Sequence, residues 1–177
     1  MGDIRNMLNN QIKRLGIDVL IVNSSKRIRC KCFNNSTNEG LPSCNICLGK
    51  GYISSIRKER VIIDYGNRLS NTYSQSQYGN IDNQLIYVYV SSSTTINQGD
   101  KIIIVGWTKQ KQLSDVKEIL NVGSINQYRM NDGRIEGISM TCISSSEMFE
   151  KYNSFINSLS NRTRKTISEG GVYICPA

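Results

Sequence analysis

The chain has 177 residues, an apolar fraction of 38% and a formal net charge of +8, enough for one core with a small appended module. No run approaches the roughly 18 apolar residues that span a bilayer, so no membrane segment is expected. Histidine is absent, which removes Ser–His and Cys–His nucleophile pairs, histidine general bases and histidine metal ligands together.

The first residues, MGDIRNML, lack the apolar core of a signal peptide. Asn6 also stands where a myristoylation pattern wants Ser or Thr. A soluble protein that is not exported by its own signal is expected. Residues 3–15 then read as an amphipathic helix: Ile4, Met7, Leu8, Ile12 and Leu15 recur at helical spacing, with Asp3 to cap it and Gly16 to end it. Asp18–Val22 reads as a strand. Residues 26–51 are cysteine- and turn-rich, and Tyr52–Tyr65 returns to a strand pattern through Ile53, Val61, Ile62 and Ile63. The polar stretch 67–80 reads as an exposed loop, of a length at which loops are usually functional or disordered.

Leu85–Val90 is β-branched and aromatic and reads as a strand. Gln98-Gly-Asp100 makes a turn into a further strand, Lys101–Val105, which leads to Trp107. Runs 116–130 and 134–144 flank Asn131-Asp-Gly133, a strong hairpin signal. Residues 147–159 form a second helix, with Met148, Tyr152, Phe155, Ile156 and Leu159 on one face and capping-box spacing between Ser144 and Glu147. The run Asn161–Lys165 is basic, and the last dozen residues show no period. Together the elements predict a mainly β (α+β) protein, a small antiparallel barrel or sandwich with flanking helices. Its parts divide as 1–25 (helix and strand), 26–51 (metal module), 52–145 (β domain) and 146–177 (helix and tail).

Four of the six cysteines fall within 18 residues, as Cys30-x-Cys32, eleven residues, then Cys44-x-x-Cys47. Two close thiol pairs joined by a short loop suit one tetrahedral ion, each pair aiming its sulfurs and nearby amides at one point. Gly49 and Gly51 would let the backbone curl beneath the metal. One structural zinc ion on Cys30, Cys32, Cys44 and Cys47 is the expectation. Iron–sulfur ligation fits so short a segment less simply, and a disulfide framework needs an oxidising compartment. Cys142 reads as a small buried hydrophobe in a strand, and Cys175 receives no role.

Residues 1–60 carry eleven bases and four acids, +7, against +1 for the other 117. Lys26, Arg27, Arg29 and Lys31 surround the first cysteine pair. They would offset the −2 charge of a zinc tetrathiolate. The same cluster is also a candidate phosphate-contacting surface, although only Phe33 and Tyr52 stand near it as stacking platforms.

Cys44-Asn-Ile-Cys47-Leu-Gly49-Lys-Gly51 resembles the Cys-x-x-Cys-x-Gly-x-Gly repeat of J-domain co-chaperones. Those proteins carry four repeats and a His-Pro-Asp signature, so the likeness extends to knuckle geometry and not to function. Residues 85–143 run as strand, Ile96-Asn-Gln-Gly-Asp100, apolar strand, polar turn and a hairpin ending in Gly133-Arg-Ile-Glu-Gly137-Ile. This order resembles the small β-barrel head-closure and neck proteins of tailed bacteriophages. The metal module and the C-terminal helix depart from a minimal neck protein. The resemblance implies a virion protein made in the host cytoplasm, a subunit of a homo-oligomeric ring between portal or adaptor and tail proteins, with 67–80 as a channel or inter-subunit element.

The combined expectation is a non-enzymatic virion structural protein at the head–tail neck, stabilised by one zinc ion. Two alternatives stand beside it. One is a zinc-containing nucleic-acid-binding module that contacts DNA through Lys26, Arg27, Arg29 and Lys31; the other is a different tail or baseplate component.

Overall fold

A computed structural model describes residues 4–24, 28–44, 46–47, 49–65, 85–130, 133–146 and 149–176. The expected loop 67–80 therefore lies outside the described residues, as do Asp3, Lys26, Arg27, Asn131, Asp132, Glu147 and Met148. The elements run α1 (Ile4–Leu15), β1 (Ile17–Val22), β2 (Ile28–Arg29), β3 (Tyr52–Asp64), β4 (Ile86–Val90), β5 (Lys101–Trp107), β6 (Leu113–Arg129), β7 (Ile135–Ser144), α2 (Phe149–Ser158), α3 (Asn161–Ser168) and β8 (Tyr173–Pro176). Six strands hydrogen-bond in the order β1-β5-β6-β7-β4-β3, and β1 pairs with β3 to close the circle. All pairings are antiparallel. Of the two architectures the sequence allowed, the barrel is the one formed.

The sequence runs Val19–Val22 and Ile102–Val105 are continuously apolar because β1 and β5 are covered on both faces. Val19, Ile21 and Ile102 point inward, where Val61, Val88, Leu120, Val122 and Met140 fill the barrel. Leu20, Val22, Ile103 and Val105 point outward under Tyr152, Phe155 and Ile156 of α2, Ile167 of α3 and Cys175 of β8. Strict alternation is the mark of a strand with one wet face, and these strands have none.

Long strands must bend to close so small a barrel. In β6 the bend comes at Gly123, where pairing shifts from Val122↔Cys142 to Ser124↔Thr141 as a bulge. One barrel edge is pinned by Asp100, fully buried. Its carboxylate accepts from Asn23 Nδ2 at 3.0 Å and Asn97 N at 2.9 Å, and its carbonyl accepts from Val122 N at 3.0 Å. The Gly-Asp turn seen in the sequence is thus held from three directions.

Helix α1 ends where Gly16 N donates to Ile12 O at 2.9 Å. It lies against β3 and β7: Arg60 Nε donates to Ile12 O at 3.2 Å, and Glu136 accepts from Arg5 N at 2.9 Å. Leu8 occupies the space over Gly137 that a Cβ there would need. Two expectations for the C-terminal region change. Ser144 is the last residue of β7, paired with Leu120, so it does not cap α2. The tail read as aperiodic forms α3, capped by Ser160 Oγ accepting from Thr163 N, and β8, paired with β3.

Truncating Ile103, which is fully buried between barrel and helices, should cost about 2–5 kcal/mol as Ile103→Ala. Urea unfolding checks it, and exposed Tyr87 as Tyr87→Ala should shift stability by about 0.5 kcal/mol or less.

Candidate metal centre

The module begins and ends at the barrel. Val22 of β1 pairs with Ile56, and after residues 23–27 the chain returns to the same strand as β2, with Ile28↔Ile53 and Arg29↔Tyr52. The intervening chain makes two tight turns. Phe33 N donates to Cys30 O at 3.0 Å, and Lys50 N donates to Cys47 O at 3.1 Å. Cys30 N then donates to Gly51 O at 2.8 Å, tying the first knuckle to the exit of the second.

These turns gather the four expected cysteines. Their Sγ atoms all lie within 4.8 Å of one another; Cys30–Cys44 is 3.8 Å and Cys32–Cys47 3.3 Å. Sulfurs at the corners of a tetrahedron with metal–sulfur bonds of about 2.3 Å stand about 3.8 Å apart. The donor set therefore fits one tetrahedral thiophilic ion with little rearrangement. No cysteine of the chain is in a disulfide. An ion held by all four sulfurs would have no open position, the pattern of structural rather than catalytic sites.

Glycine makes the close approach feasible. Gly49 and Gly51 have φ of +81° and +75°, where a side chain is strained. A Cβ on Gly51 would also lie 2.7 Å from Phe33 Cδ2. Gly40, which the sequence reading passed over, is just as constrained, since a Cβ there would run into the backbone of Gly51. The signal was present as a glycine before Leu-Pro, but its partner lies eleven residues on and only the fold brings them together.

The sulfurs are not electrostatically equivalent. Cys44 is lowered to about 6, chiefly because the backbone N–H groups of Cys47 and Ile46 donate to it. Cys32 is pushed up to about 12 by desolvation and by its contacts with the Cys47 and Cys44 thiols. Gly51 N donates to Cys47 Sγ at 3.2 Å. Backbone N–H donation thus favours the thiolate at Cys44, while desolvation and its thiol neighbours disfavour it at Cys32. Cys142 and Cys175 take no part. Both are buried in apolar cores, and desolvation pushes each thiol to about 12.

Of the candidate phosphate-contacting residues, Arg29 and Lys31 are exposed beside the cluster. The Arg29 guanidinium lies 4.9 Å from the Phe33 ring centroid and donates to Asn35 Oδ1 at 3.0 Å. Phe33 in turn packs on Tyr52, centroids 5.1 Å apart. The two aromatics expected as stacking platforms therefore form the module's own small core, with Arg29 as its lid.

No family model matches the chain, and no curated protein matches it. Among the described residues no helix is long and apolar enough to cross a membrane.

Cys44→Ser should lower bound metal and raise hydrogen exchange across residues 28–56; unchanged metal per chain would remove Cys44 from the ligand set. Protons compete with metal for thiolate sulfur, so metal retention should fall as pH falls. A chromophoric chelator added over a series of falling pH values will report the loss.

Proposed function

We propose that this protein is a non-enzymatic structural subunit of a tailed-phage virion, placed in the ring that joins portal to tail, with its projecting module held by one zinc ion. Zinc is the simplest occupant of four thiolates in a closed tetrahedral site. Metal ligation supplies about 10–16 kcal/mol in zinc-finger peptides, ample for a segment whose aromatic packing, among the described residues, is Phe33 on Tyr52 beside the Arg29 guanidinium.

The observation that carries the assembly reading is α1. Of its five apolar residues only Ile12 is buried and Leu8 half-buried, while Ile4, Met7 and Leu15 are 48%, 59% and 67% exposed. At about 100° per residue, Ile4, Met7 and Leu15 form a stripe beside the packing face, continued by Ile17 at 44%. By contrast α2 buries Tyr152, Phe155 and Ile156 on its own barrel. An apolar helical stripe left uncovered is what a ring subunit offers a neighbour. The barrel interior, filled by aliphatic side chains, supports a scaffold rather than a pocket. The specific placement at the neck comes from the resemblance of residues 85–143. Other tail or baseplate positions share the same physics.

The second reading, a nucleic-acid-binding module, draws on Arg29 and Lys31, exposed on the outside of the metal module. Native mass spectrometry separates the two. One zinc per chain in a closed, ring-sized assembly is the expected result. A zinc-bound monomer that binds a labelled oligonucleotide, more weakly as salt rises and after Arg29→Ala and Lys31→Ala, would favour the second reading. A zinc-bound monomer that binds nothing would overturn both.

A further inference from the structure

A closed barrel has no free strand edges. Two strands here lie outside the circle, and they flank the same end of β3 from opposite sides: Ile53 pairs with Ile28 of β2 and with Pro176 of β8. β2 is two residues long and has Arg29 and Lys31 at its end. Cations of this sort are how natural sheets guard an edge.

β8 is different. Its four residues pair with Ile53–Ile56 along one edge, and among the described residues nothing pairs with the other. Residues 170–177 contain no charged side chain, in a chain of net charge +8. Alongside this strand runs an apolar groove of about 430 Å³, lined by Ile46 of the second knuckle, Phe155 of α2, and Val172, Tyr173 and Ile174. An apolar cavity of about 150 Å³ holds one benzene, so this groove has room for two or three aliphatic side chains. Ile46, Val172, Tyr173 and Ile174 are 54%, 65%, 36% and 53% exposed.

We propose that β8 is a dimerisation edge: a second copy lays its own β8 antiparallel alongside the first, across a two-fold axis. Val172 and Ile174 of each copy then enter the groove of the other. Antiparallel pairing of a strand with itself satisfies both sets of outward backbone groups at once. It is also the contact that the commonest oligomer symmetry makes. Charge selects this edge for self-pairing, since a β2 edge meeting its own copy would oppose Arg29 and Lys31 to themselves, whereas residues 170–177 carry no charged side chain. Each copy contributes four apolar side chains, 36–65% exposed, well short of the roughly 20–30 residues a side of a standard interface. The contact is therefore in the weak, reversible class. It uses β8 and the groove alone and does not rest on the neck reading.

Sedimentation velocity of the zinc-loaded full chain over a concentration series tests it. Wild type should show a reversible twofold step in the micromolar range, two chains pairing or one ring doubling on another. Ile174→Lys and Val172→Lys should each weaken it at least tenfold, and Ile28→Lys on the other edge should leave it within twofold. All three positions are more than half exposed, and circular dichroism with zinc content verifies that the variants fold. A wild type that stays monomeric to about 200 µM overturns the proposal. So does a twofold step that both Lys variants leave intact, or one that Ile28→Lys also disrupts.

Discussion

Both halves of this molecule hang on one strand. Between Tyr52 and Asp64, β3 pairs with β1 and β4 to close the barrel and with β2 and β8 to build the extension beyond it. Ile56 stands at the junction, opposite Val22 on one side and Tyr173 on the other. Because side chains alternate with period two, a one-residue slip in β3 would turn Ile56 and Val61 out of their cores. Asp18 reinforces the register from outside, bonding Lys58 at 3.0 Å and Arg60 at 3.1 Å. These partly exposed pairs are worth little singly but lie on alternate residues of the same strand face.

Much of this was legible in the sequence, for identifiable reasons. The strands with one or two apolar faces announced themselves by composition, and the 116–130 and 134–144 runs by the turn signal between them. The cysteine quartet was legible because ligand spacing is a local property that survives whatever the rest of the chain does. What the sequence concealed was of two kinds. α3 buries a single apolar residue, Ile167, so it has no periodicity to see and exists because Ser160 caps it and Arg164 bonds the carbonyls of Leu113, Asn157 and Leu159. β8 carried a β-branched signature after Gly170-Gly171, but four residues are too few to read without knowing that β3 has an edge to offer. The apolar stripe of α1 was read correctly as a stripe, while its offset from the packing face was set by Gly137 and Glu136, far away in the chain.

The metal module shows how little apolar material a tethered segment needs. Its only packed aromatic pair is Phe33 and Tyr52, and its backbone is threaded through glycine contacts too close for any side chain. The cations that crowd the first knuckle in the sequence divide in the structure. Arg29 lays its guanidinium on the Phe33 face while staying exposed, and Lys31 is exposed beside it. Charge balance at a tetrathiolate and contact with a phosphate draw on the same residues.

The position of the module between β1 and β3 also bears on how the barrel forms. Pairing Val22 with Ile56 closes a loop of 33 residues. Joining Cys30 to Cys47 through a metal removes about half of that loop from the search. Loop entropy varies so slowly with length that the saving is only about 0.6 kcal/mol. Barrel closure therefore owes almost nothing to the ion in entropic terms. An ion held by these cysteines would be free to bind before, during or after the barrel closes.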